Sequence, residues 1–262
     1  MLVLSLSVVI GLVVGLLGAG GSIMTTPLFI YAEHMPPVEA IASSLLVVAA
    51  ASSFALIRHG MRGHIQWRTG LIFGFSGMLS AFVGGQVGSH LPGDILLFAF
   101  SVIMAVTGIA MIRRRNDLET ENTHSPITHR LILNGALVGF ITGTVGVGGG
   151  FMVVPALVLF GGLAMKDAIA TSFVIGITNC VGAFAGYVLR FDSQTLVSLN
   201  TDISFNFKII LPALIGTSLG ALLGSIFSSR VKADKLKSAF GWFVILLAVF
   251  VSVENIIGAM NK

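Results

Sequence analysis

The sequence predicts an all-α integral membrane protein of two homologous repeats, each a Gly-rich broken or re-entrant helical element followed by three transmembrane helices, with the second repeat inverted relative to the first. Three observations predict it. The 262 residues are 55% hydrophobic and only 10% charged, and the mean hydropathy is +0.97, a composition that cannot clothe a water-soluble domain. Residues 11 to 55 recur as 139 to 183 at a constant offset of 128: Gly11, Gly15, Gly18, Gly20, Gly21, Met24 and Pro27 return as Gly139, Gly143, Gly146, Gly148, Gly149, Met152 and Pro155. Apolar segments interrupted by Gly and Pro at matching places in two halves are the sequence mark of a transporter and of its binding site. The third observation is the placement of Lys and Arg, taken up below.

The first apolar stretch, residues 2 to 30, is long enough to cross about 30 Å of hydrocarbon as a helix, but it meets Gly18-Ala-Gly-Gly-Ser22 and then resumes toward Pro27. Each glycine destabilises a helix by roughly 1 kcal/mol relative to Ala, so a break is expected there, with Pro27 in the first turns of the resumed helix. The resumed piece, about 10 residues or roughly 15 Å, reaches half the bilayer, which puts the glycine tip near the midplane. Broken backbone at that depth must be buried in protein or line a polar cavity. Uninterrupted stretches follow at 40 to 57, 69 to 88 and 95 to 112, completing a first repeat over residues 1–112. Residues 113–130 hold the only long polar segment and read as a cytoplasmic linker. The second repeat, 131–262, opens with a stretch from 131 to 160 that breaks at Gly146-Val-Gly-Gly-Gly150 and resumes toward Pro155. It continues through 168 to 189, 209 to 227 and 239 to 253. Gly11, Gly15, Gly216, Gly220 and Gly224 have the spacing that lets helix backbones touch, and close packing is the reading for these.

Positive charge sets the orientation. If each broken element were a single crossing, the halves would point the same way and Lys and Arg would divide 10 to 5 between the cytoplasmic and outer faces. If each is a re-entrant hairpin, the halves are inverted and the division becomes 12 to 3. Lys166, Arg230, Lys232, Lys235 and Lys237 then lie inside, while Arg190, Lys208 and Lys262 lie outside. The positive-inside rule favours the second arrangement. The first stretch has no basic flank and no small-residue cleavage site, so it is expected to remain in the mature protein.

A helix that restarts at mid-depth leaves unpaired N–H groups and the positive end of its dipole pointing into the protein. Two such ends facing each other make a cradle for a small anion. The candidate substrate contacts are therefore Gly20, Gly21 and Ser22 in the first tip, Gly148, Gly149 and Gly150 in the second, and polar groups on the helices that follow. Those are Ser43 and Ser44 in one copy and Thr171, Ser172 and Asn179 in the other, with Ser52, Ser53 and Thr178 nearby. Hydroxyls in membrane helices more often bond their own backbone, whereas Asn179 requires a polar partner in lipid. Glu39 and Asp167 at equivalent helix starts, and Arg58, His59 and Tyr187 at helix ends, are the groups available for gating or coupling. Their plainer roles are dipole compensation and interfacial anchoring.

Other function classes find little support. The six histidines fall in loops or at interfaces, and no His-Glu-x-x-His, paired-aspartate or Ser/His arrangement is present. The sequence therefore predicts no catalytic residue, no metal ligand and no cofactor. Lone Cys180 rules out an intramolecular disulfide. The pI near 9.6 marks cytoplasmic loops and implies no nucleic-acid partner. The expected partners are a small anionic substrate and membrane lipid, and a homo-oligomer is compatible with the sequence. A permease for a metal ion or another small solute on the same fold is the alternative reading.

The repeated glycine segments, each followed by a proline and then by Glu39-Ala-Ile-Ala-Ser-Ser44 or Asp167-Ala-Ile-Ala-Thr-Ser172, together with Gly63-His-Ile-Gln-Trp67, resemble the TauE/SafE sulfite exporter family over nearly the whole chain. The resemblance implies export of a small sulfur-containing anion, such as sulfite, sulfoacetate or another organosulfonate, across the bacterial inner membrane.

Overall fold

The computed structural model describes residues 2–17, 21–60, 63–113, 128–146, 150–189, 207–228 and 233–260. In the first half these form α1 (Leu2–Leu17), α2 (Gly21–Pro27), a π-helical turn (Leu28–Ala32), α3 (Pro37–Gly60), α4 (Trp67–Ser89) and α5 (Gly93–Arg113). The second half holds α6 (Thr128–Val145), α7 (Gly150–Leu159), α8 (Met165–Val188), α9 (Phe207–Ser228) and α10 (Ala233–Met260), and no strand occurs among the described residues. Five segments are long and apolar enough to cross a membrane: Pro37–Ile57, Trp67–Ser89, Gly93–Ala110, Met165–Val188 and Ile209–Phe227. Leu71, Phe75, Leu79, Val83 and Val87 stand exposed one turn apart along α4, and Leu211, Ile215, Leu219, Leu223 and Phe227 do the same on α9. Such continuous apolar ridges belong against lipid.

α1 is described to Leu17 and α2 from Gly21, and residues 18–20 of the first glycine cluster lie outside the described residues. At the second cluster α6 ends at Val145 and Gly146 takes φ 70°; α7 is described from Gly150. The prolines lie in the first turns of the short helices, as expected. Pro27 closes α2 in its second turn, and Pro155 is likewise past the first turn of α7. Pro27 cannot donate an N–H to the carbonyl one turn back, and the chain widens there into the π-helical turn.

The exits from the two short helices are built alike at the 128-residue offset. Met35 N–H donates to the Phe29 carbonyl at 3.0 Å and Leu163 N–H to the Leu157 carbonyl at 3.1 Å. Ala40 N–H donates to Pro36 and Ala168 N–H to Ala164, at 2.9 and 2.8 Å. His34 at φ 52° and Gly162 at φ 66° share the left-handed conformation, which glycine takes freely and histidine takes at a cost.

Glycines set how the long helices pack. A Cβ added to Gly11 would lie 2.7 Å from Thr217 Cα, and one on Gly15 would lie 2.9 Å from the Ala221 carbonyl carbon. α1 therefore runs parallel to α9 in backbone contact. By the same measure Gly139 meets Gly77 and Gly143 meets Ala81, so α6 runs parallel to α4; Gly182 meets Met78 and Gly186 meets Gln86, so α8 also runs parallel to α4. α3 crosses α8 in the opposite sense. Ile41, Ala42 and Leu45 near its start cluster with Cys180, Ala183 and Tyr187 near the end of α8, while Leu56 near its end packs with Ala170 and Val174 near the start of α8. Each half thus uses the other as its packing partner: α1 on α9, α6 on α4, α3 on α8 and α5 on α10.

Candidate functional site

The site is built where the short helices return into the bundle. α2 packs on α3, α7 on α8, and α2 and α7 touch each other, so the two short helices form one cluster with α3 and α8. Gly20, Gly148 and Gly149 lie outside the described residues. Gly21 and Gly150 are the first residues of α2 and α7, and Ser22 follows in α2. The first N–H groups of a helix have no intrahelical acceptor.

The hydroxyls of α3 and α8 divide by what they already bond. Ser44 Oγ donates to the Ile41 carbonyl at 2.8 Å, and Ser172 Oγ donates to the Ile169 carbonyl at the same distance. Their protons are thereby used within their own helices, the local competition usual for such residues. Ser44 also receives a hydrogen bond from Thr26 Oγ1 at 2.8 Å, which ties α2 to α3. Thr26 carries no sequence signal beyond its place beside Pro27. Thr171 Oγ1 accepts from Gln66 N–H at 3.0 Å, so its hydroxyl anchors the chain entering α4. Ser43 and Ser52 are buried, and neither hydroxyl has a partner. Asn179 stands apart. Its side chain is 1% exposed, and neither Nδ2 nor Oδ1 is hydrogen-bonded.

The groups expected to gate or couple fall into three situations. Tyr187, expected at an interface, is wholly buried, and its hydroxyl donates to the Thr144 carbonyl at 2.7 Å. The reason is the broken helix: the carbonyl in the last turn of α6 has lost the amide that a continuing helix would supply, and the tyrosine replaces it. Asp167, in the first turn of α8, pairs through Oδ1 with His64 Nδ1 at 3.1 Å. His64 belongs to the Gly63-His-Ile-Gln-Trp67 segment, which also reaches α8 through the Gln66 N–H bond to Thr171. That segment therefore docks the α3–α4 connection on the start of α8, a role its composition alone did not disclose. Glu39 lies half-buried in the first turn of α3. Arg58 and His59 are in the last turn of α3, and their side chains lie outside the described residues. Among the described residues, no group of three His, Cys, Asp or Glu side chains is arranged to hold a metal ion.

The sequence matches the family described as sulfite exporter TauE/SafE over residues 3–252. The chain belongs to the TauE/SafE family. A relative from Xylella fastidiosa (strain Temecula1), named a probable membrane transporter protein, is 33% identical over 250 residues, covering 92% of this chain and 90% of its own length. The Bacillus subtilis probable membrane transporter protein YdhB is 26% identical over 91% of this chain and 94% of its own length. A probable membrane transporter protein of Methanocaldococcus jannaschii is 24% identical over 94% of this chain and 97% of its own length. No solved structure matches. With the TauE/SafE assignment and the apolar spans described above, the chain is a multi-pass membrane transporter.

Proposed function

We propose that this TauE/SafE protein is a secondary transporter that exports a small sulfur-containing oxyanion across the bacterial inner membrane. Sulfite, sulfoacetate and other organosulfonates are the substrates in view. The substrate binds near the midplane, between the N-termini of the half-helices that restart at Gly21 and Gly150. One observation carries the reading. The short helices α2 and α7 touch each other, the helices beside them bury the unpaired polar groups of Ser43, Ser52 and Asn179, and no group of three His, Cys, Asp or Glu side chains that could hold a metal ion occurs among the described residues. Helix-start N–H groups, hydroxyls and a primary amide together suit an oxyanion and suit a hard cation poorly.

The proposal includes inverted repeats, one at 1–112 and one at 131–262, joined by a cytoplasmic linker at 113–130. The His64–Asp167 pair supports inversion. It puts the start of α8 on the same face as the end of α3, where the 12 to 3 division of charge needs Lys166 to be. The opposed crossing of α3 and α8 and the exchange of packing partners between halves support it as well. Alternating access then follows as one hairpin rocks open inward and its counterpart opens outward around a shared centre. Purified protein in liposomes, challenged in turn with sulfite, a sulfonate, sulfate and divalent metals, tests the substrate class. Uptake of sulfite or the sulfonate is expected; uptake of a metal ion alone would refute the proposal.

A further inference from the structure

The α4–α8 seam and its counterpart between α3 and α9 are alike in carrying a hydroxyl, Ser43 standing at the place of Thr171, and differ where alanines replace Thr178 and Asn179. Where α4 meets α8, Gly70, Gly74 and Gly77 face Thr171, Thr178 and Asn179. Added Cβ atoms there would stand 3.2 Å from Thr171 Cγ2, 2.8 Å from Thr178 Oγ1 and 2.5 Å from Asn179 Oδ1. The corresponding seam joins α3 of the first half to α9 of the second. Its residues at the places of Gly74, Gly77, Thr178 and Asn179 are Ile210, Ala213, Ala50 and Ala51. Ile210 and Ala213 pack there with Ala40 and Val47 in an apolar cluster. Ala51, at the place of Asn179, is buried in an apolar cluster, so the position by itself does not call for an amide.

Hydrogen bonding separates Asn179 from its neighbours along the seam. Thr171 accepts from Gln66 N–H, and Thr178 donates to the Ile175 carbonyl at 2.9 Å. Asn179, 1% exposed, has both ends of its amide unpartnered, a strongly unfavourable state for a primary amide away from water. Its two ends also ask for different things: Nδ2 offers two donors and Oδ1 offers an acceptor.

We propose that Asn179 is the specificity-determining contact of the transport site and selects an oxyanion that still carries one proton. This rests on the sulfur-oxyanion reading given above. A fully ionised sulfite or a sulfonate has oxygens that only accept, so either can satisfy Nδ2 and leaves Oδ1 facing another lone pair. Hydrogensulfite satisfies both, accepting from Nδ2 through one oxygen and donating to Oδ1 through its oxygen-bound proton. Gly77 is the space that lets the amide stand in the seam, and a side chain there would displace Oδ1.

The test is uptake of labelled sulfite and methanesulfonate into proteoliposomes, with equal pH on both faces, stepped across the second ionisation of sulfurous acid. Methanesulfonate keeps one charge throughout and reports any effect of pH on the protein itself. At fixed total sulfite, the sulfite rate relative to methanesulfonate should fall about 10-fold per pH unit above that ionisation, following the hydrogensulfite fraction. Asn179→Ala, carrying the residue already present at Ala51, should lower sulfite uptake about 10-fold relative to methanesulfonate, the loss of one hydrogen bond to a charged ligand. A sulfite rate that follows the dianion, or an Asn179→Ala variant that changes both anions by the same factor or neither, overturns the inference and leaves the transporter reading standing. A wild-type protein that moves neither anion overturns both. If Asn179→Ala is not recovered folded, the wild-type pH series decides alone.

Discussion

Replacing Tyr187 by Phe keeps the ring in its slot and removes one oxygen. The side chain is wholly buried, and that oxygen donates to the Thr144 carbonyl at 2.7 Å. Thr144 is in the last turn of α6, immediately before the break at Gly146, so the tyrosine hydroxyl stands where the next helical amide would have been. Stranding a buried carbonyl costs about 1–3 kcal/mol. For a protein of this size about 1 kcal/mol corresponds to roughly 2–4 °C in Tm, so the variant should unfold about 2–12 °C lower in detergent. Its expression should be retained, because the apolar contacts with Ile41, Leu45 and Ala183 survive. Thermal unfolding followed by intrinsic fluorescence reads the effect. A Tm equal to wild type would refute the claim that Tyr187 holds the end of α6.

Three further outcomes are expected. Gly162→Ala should destabilise by about 1–2 kcal/mol, because φ is 66° and nothing lies within 4 Å of the new methyl group, leaving backbone strain as the sole cause. His34→Gly at the equivalent position should change stability by less than about 1 kcal/mol; chemical denaturation compares the two. Gly139→Val should prevent recovery of monodisperse protein on size exclusion, since even a Cβ would lie 2.5 Å from Gly77 Cα; a normal yield would contradict the α4–α6 contact. Single cysteines at His64 and Lys166 should react with an impermeant reagent from the cytoplasmic face, and ones at His90 and Leu189 from the outer face, with buried Cys180 silent. Lys166 reacting together with His90 would restore repeats that point the same way.

Much of the architecture was legible because its causes are local. At the second glycine cluster α6 ends at Val145, and Gly146 takes the left-handed φ of 70° that glycine adopts freely. Gly11 and Gly15 read as packing residues, and they lie in backbone contact with α9. What escaped the sequence depends on which partner arrives from far along the chain. Nothing around Tyr187 announces a bond to Thr144, 43 residues away, and nothing around Asp167 names His64, 103 residues away. The same distance hides the difference between Ser44 and Asn179. Both are small polar residues in apolar helices, but a serine can discharge its proton on the preceding turn, whereas the Asn179 amide finds no partner in its own helix or its neighbours.

The central claim is that the protein binds a sulfur oxyanion, and ligand-induced stabilisation of the purified transporter measures that binding without any assumption about coupling. Sulfite at ten times its Kd should stabilise the folded protein by about 1.4 kcal/mol through mass action, raising Tm by roughly 3–6 °C. Magnesium, cobalt and nickel at the same concentrations should leave Tm unchanged, because helix-start N–H groups and one amide do not provide a shell of oxygen ligands. Stabilisation by a divalent cation with none by sulfite or any sulfonate would contradict the account and assign this TauE/SafE protein to metal transport.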